Sequence, residues 1–182
     1  MRALVSFADR DPVPWANGAG QTTELVSLTE SAQLTSGLRP WRLSIARLER
    51  VGPFSALPGM ARTFLPNAEV ALDIDGHVHS VPAFRPERFH GGQNVSLVDL
   101  VEPCFAVNLM VADDGMDPEN TAGAMQMSIG QPVPADRLRF VLTLEDGAEY
   151  PRFQLLESET GEAVPDVISV AVLHIESVDT HI

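Results

Sequence analysis

No stretch of this 182-residue chain sustains the i, i+3, i+4 apolar spacing of an amphipathic helix. Short runs of strand-forming, often alternating residues recur instead, each closed by proline, glycine or a cluster of polar turn formers. A chain patterned in this way buries its apolar residues by stacking sheets or by closing a barrel, so the expected class is all-β. Strand-like runs fall at 2–8, 22–28, 41–46, 69–75, 77–81, 95–102 and 104–111, then at 124–129, 138–145, 151–157 and 167–176. Asp75-Gly76 reads as a hairpin turn, and Asp146-Gly147 and Thr160-Gly161 as further turns. Residues 29–40 are polar, contain Gly37 and Pro40, and read as a loop, while Pro134 to Arg139 has room for one helical turn. The acidic, turn-rich segment 113–123 divides an N-terminal half, 1–112, from a C-terminal half, 124–182.

The stretch Trp41 to Arg62, WRLSIARLERVGPFSALPGMAR, carries the most chemistry. Trp41, Leu43 and Ile45 alternate with Arg42, Ser44 and Ala46, so Arg42 and Ser44 share one face of a strand. Gly52-Pro53 and Pro58-Gly59 then turn the chain twice before Arg62. Two guanidiniums and a hydroxyl held by fixed turns can grip a small carboxylate, because arginine presents a planar fork of donors. The competing interpretation is a plain strand and turn whose arginines face water.

Charge narrows the choice of partner. All twelve basic residues are arginines, which removes lysine Schiff-base chemistry and Walker-type phosphate loops. Residues 1–91 hold nine arginines and nine acids; residues 92–182 hold three arginines and sixteen acids, which gives the net charge of −13. Such a chain repels nucleic acid and anionic lipid, and its anion sites belong in the balanced N-terminal half. The longest apolar region, Val95 to Ala112, is broken by Asp99 and Glu102, so no membrane span is expected. The opening MRALVSFADRD is too weakly apolar for a signal peptide, and the single Cys104 rules out an internal disulfide; a cytosolic location fits both.

Other constellations are thin. Asn17-Gly18-Ala19-Gly20 lacks the GxGxxG spacing of a dinucleotide site but suits a tight turn brought near the Arg42 face. His77 and His79 lie on one face of a strand, yet the next acid, Glu87, comes later than in the His-x-His-x3–4-Glu pattern of metal-binding cupins. His90 joins them only if the proline-rich segment folds back. Cys104 sits in an apolar run as a buried thiol, no serine occupies a G-x-S-x-G elbow, and residues 113–119 lack the glycine and final glutamate of an EF-hand. No cofactor is expected.

Taken together, PWANGAGQTTEL at 14–25, WRLSIARLERVGPFSALPGMAR at 41–62 and VNLM at 107–110 resemble the HutD/Ves family. The resemblance covers residues 12–112 and implies a cupin-like double-stranded β-helix, with two barrel-like halves in one chain. It further implies a regulatory, small-molecule-binding role in histidine utilisation, with formylglutamate or urocanate as the ligand considered, and no established catalytic activity. This chain departs from the family's usual charged or glycine residues at Ala16, Ala19, Ala61 and Ala106. It keeps Trp15, Asn17, Gly18, Gly20, Arg42, Ser44, Arg62 and Asn108, which form the expected ligand site. The resulting expectation is a non-catalytic protein binding a small carboxylate metabolite. The alternatives are a metal-dependent cupin enzyme using His77 and His79, and an interaction module whose acidic C-terminal half meets a basic partner. Edge-to-edge pairing into a homodimer is expected from the fold alone.

Overall fold

The computed structural model describes residues 1–113, 123–130, 133–134, 136–159 and 170–175. The linker expected at 113–123 thus falls almost wholly outside the described residues, as do the turn at Thr160-Gly161 and the start of the run expected at 167–176. In chain order the strands are β1 (Arg2–Ser6), β2 (Val13–Pro14), β3 (Gly20–Val26), β4 (Trp41–Leu48), β5 (Gly52–Pro53), β6 (Met60–Pro66), β7 (Val70–Ile74) and β8 (His77–Val81). They continue as β9 (Glu87–His90), β10 (Val95–Leu100), β11 (Cys104–Ala112), β12 (Met125–Ser128), β13 (Leu138–Thr143), β14 (Gln154–Glu157) and β15 (Val170–Ile175). The fold is all-β and cupin-like, with antiparallel pairing between the neighbouring strands.

Three sheets form among the described residues, and the largest supplies the framework. Its order is β2-β3-β4-β11-β6-β9. Alternation along its strands sends Trp41, Leu43, Ile45, Leu65, Val107 and Leu109 into one core, where they meet Met125, Phe140, Leu155 and Leu173 of the sheet β1-β14-β13-β15-β12. The opposite face sends Ala46, Leu48, Phe64 and Ala106 into a second core against Val70, Leu72, Val95 and Leu97 of the sheet β5-β10-β7-β8. The central strands β4, β11 and β6 are therefore buried on both faces. The strand β1 pairs with β14, Arg2 opposite Glu157, so the N-terminal residues are built into the sheet of C-terminal strands.

One short helix, α1 (Leu28–Leu34), replaces the loop expected at 29–40. Its seven residues are too few to show a helical period, but Ser27 and Glu30 form a reciprocal capping box at its start. Arg10 donates to the Glu30 carboxylate at 2.8 Å and so ties the helix to the chain before β2. The helix also serves the core. Trp41, fully buried, donates its indole N–H to Thr35 Oγ1 at 2.8 Å and its backbone N–H to Ser31 Oγ at 3.0 Å. Its polar edge is thereby satisfied while the ring packs 5.4 Å from that of Phe140. The β7–β8 hairpin turns at Asp75 and Gly76, both at positive φ as a type I′ turn requires.

Candidate functional site

A cavity of about 540 Å3 opens on the face of the central sheet turned toward β5 and β10. Its floor follows from register. Met110 on β11 stands opposite Arg42 on β4 and Arg62 on β6, and in the next row Asn108 stands between Ser44 and Phe64. Arg42 and Arg62 therefore flank one methionine on the same face, their α-carbons roughly 10 Å apart across two strand spacings. The segment carrying Phe54, Ser55 and Leu57 closes one side. It is held by backbone bonds from Phe54 N–H to the Val95 carbonyl, 2.9 Å, and from Leu57 N–H to the Gly91 carbonyl, 2.7 Å.

Arg62 is the central cation. It is 8 % exposed, with its guanidinium carbon 5.6 Å from the Phe54 ring centre and 5.0 Å from that of Phe89. Its Nη2 donates to Asn108 Oδ1 at 3.1 Å and its Nη1 to the Ser55 carbonyl at 3.4 Å, while its buried Nε–H has no acceptor among the described residues. Burial, and after it the like charge of Arg42, pull its pKa down to about 10. Among the described residues no carboxylate pairs with Arg62. Arg42 differs: its Nε donates to Glu24 Oε2, and Nη1 lies 3.9 Å from the Met110 sulfur. Ala61 and Ala106 leave the two guanidiniums fewer internal acidic partners, but Glu24 supplies one for Arg42 because β3 places it in register with Ser44.

Six of the eight expected residues line the cavity: Trp15, Asn17, Arg42, Ser44, Arg62 and Asn108. Gly18 and Gly20 do not line it. They shape the turn that delivers Trp15 and Asn17. Asn17 Oδ1 accepts the Ala19 N–H at 2.9 Å, and Gly18 adopts φ +67°. At Gly20 a β-carbon would lie 2.3 Å from the Arg47 carbonyl oxygen and 3.2 Å from the Trp15 ring, so only glycine fits there. Trp15 is fixed by its indole bond to Thr22 Oγ1, 2.8 Å, and by an edge contact with Phe54. Ala16 also lines the cavity. Sequence reasoning missed Phe54, Phe89, Met110 and Glu24, although Glu24, Phe54 and Met110 lie inside the motifs it singled out.

The histidines lie elsewhere. His77 is exposed and His79 half-buried on β8, with His79 Nε2 3.2 Å from Glu87 Oε1. His90 Nε2 is instead 3.3 Å from Asp113 Oδ2. Among the described residues no three histidine, cysteine, aspartate or glutamate side chains gather as metal ligands. Cys104 is buried, and burial, helped by Glu102, raises its thiol pKa. No helix among the described residues is long and apolar enough to cross a membrane.

The HutD family model matches residues 8–151, well over half of the chain. The chain belongs to the HutD family. HutD from Pseudomonas fluorescens SBW25 is similar in structure, with a TM-score of 0.64 and 22 % identity over 93 % of this chain and 95 % of that one. A conserved protein of unknown function from Pseudomonas aeruginosa PAO1 gives a TM-score of 0.60 and 20 % identity over 94 % and 89 % of the two chains. A cupin domain of an XRE-family transcriptional regulator from Enterobacter cloacae is more distant, with a TM-score of 0.42 and 14 % identity over 51 % of this chain and 96 % of that domain. No curated protein matches the sequence significantly.

Proposed function

We propose that this HutD-family chain binds a small carboxylate metabolite between the central sheet and the Phe54 segment, and acts by holding that ligand rather than transforming it. Arg62 carries the proposal. A guanidinium this buried, with no carboxylate partner and no Nε–H acceptor among the described residues, bears a desolvation cost that an incoming anion relieves. The lining supplies donors and apolar walls but no histidine, cysteine or carboxylate to act as nucleophile or general base. Through its family the chain is linked to histidine utilisation, where a ligand-holding protein serves as a metabolite-responsive regulator.

The test is a thermal-shift screen of small carboxylates, with urocanate and formylglutamate included, against their neutral amide counterparts. A ligand at a hundred times its Kd adds about 2.7 kcal/mol to stability. For a chain of this size that raises Tm by roughly 5–10 °C. If no carboxylate moves Tm at millimolar concentration while the amides do equally little, the anion-binding reading is lost.

A further inference from the structure

Glu24 lies outside the cavity lining, yet it governs the charge there. The lining contains two formal charges, the guanidiniums of Arg42 and Arg62. Glu24 shares their face, opposite Ser44, and its Oε2 accepts from Arg42 Nε. The next carboxylate on that face, Glu87 opposite Phe64, lies beside His79 and outside the lining. Two cations less one paired anion leave a single positive charge, centred on Arg62.

Resting on the carboxylate-binding reading above, we propose that Glu24 is a specificity determinant: by neutralising Arg42, it limits the pocket to ligands with one negative charge. A monocarboxylate fits that balance, with its carboxylate at Arg62 and its other polar groups neutral. A dianion of the same length does not. Its second carboxylate must reach the Arg42 side, two strands away, where it either displaces Glu24 from its partner or is buried beside a like charge. Discrimination thus comes from a repulsive element next to the attractive one. Arg42 remains useful in this arrangement, because its Nη atoms can still donate to a neutral carbonyl.

Succinate and succinamate are nearly isosteric and differ by one charge, which makes them the probes. Calorimetry on the wild-type chain should give tighter binding of succinamate by about tenfold, because desolvating the second carboxylate of succinate beside Glu24 is not offset. Glu24→Gln keeps the shape, raises the net charge by one and should shift the ratio by roughly 15- to 30-fold toward succinate, the effect of one charge at 8–10 Å and an effective dielectric near 20. Glu24→Gln combined with Arg42→Gln returns the count to one and should restore the preference for succinamate, a reversal that a merely structural role for Glu24 does not produce. An unchanged ratio in Glu24→Gln, or equal binding of both probes by the wild type, overturns the charge selection and leaves the anion site standing. Failure of both probes to bind the wild type and Glu24→Gln overturns the selection and the carboxylate reading together.

Discussion

Replacing Arg62 with methionine separates what that residue does for folding from what it does for binding. With a pKa near 10 against 12.5 for a free guanidinium, the buried charge costs the folded state about 3 kcal/mol at neutral pH. Methionine removes that cost and keeps much of the side-chain volume. It also removes the contacts with Phe54 and Phe89, worth about 1–2 kcal/mol together. Asn108, 4 % exposed, loses the donor at its Oδ1, which costs about 1–3 kcal/mol more. These terms nearly cancel. The ligand-free variant should therefore fall within about 2 kcal/mol of wild type, a Tm change of roughly 8 °C or less. Carboxylate binding, by contrast, should weaken by about 1.5–3 kcal/mol, some ten- to hundredfold. Calorimetric unfolding with and without a saturating carboxylate measures both. A variant that unfolds readily yet binds as before would falsify the division, and Arg62 would then be a structural staple.

Two further perturbations probe how the site is supported. Gly20→Ala should cost about 1–3 kcal/mol and also weaken ligand binding, because the new β-carbon meets the Arg47 carbonyl and displaces the Trp15 ring; denaturant midpoints and a binding titration of the same sample check this. Glu30, whose pKa is lowered to about 2 chiefly by the Ser27 backbone N–H and then by Arg10, stabilises the fold above the carboxylate's ordinary value of 4.5. That contribution fades as pH falls from 4.5 toward 2, so Glu30→Gln should flatten this part of the acid-unfolding curve; since the side chain is 41 % exposed, the effect should be at most about 1 kcal/mol.

Much of this was legible in the sequence, because strand periodicity states which residues share a face. The alternation at 41–46 places Arg42 beside Ser44 and opposite Trp41, and the structure has that arrangement. The strand β6 was not legible. Arg62 and Phe64 face the cavity while Leu65 faces the other core, so a strand buried on both sides shows no polar–apolar rhythm, and the residues read only as the end of a turn. The helix escaped for a different reason. Two turns are too short for a period, although Ser27-x-x-Glu30 was the signal to use. The partners of the two arginines depend on register, which no single strand reveals. Glu24 meets Arg42 because β3 pairs with β4, and Phe89 meets Arg62 because β9 returns opposite it.

The pairing of β1 with β14 also has a consequence for biosynthesis. Arg2 and Glu157 are 155 residues apart. At about 5–20 residues per second, the ribosome needs roughly 8–30 s to deliver the second after the first. During that interval Leu4 and Val5, which end up packed against the shared core, have no sheet to join. Contacts of such sequence separation slow folding, since the loop must close before any contact rewards it. The nascent chain thus carries an unpaired strand edge until β14 emerges, a window in which chaperone holdases or a neighbouring nascent chain compete with β14 for it.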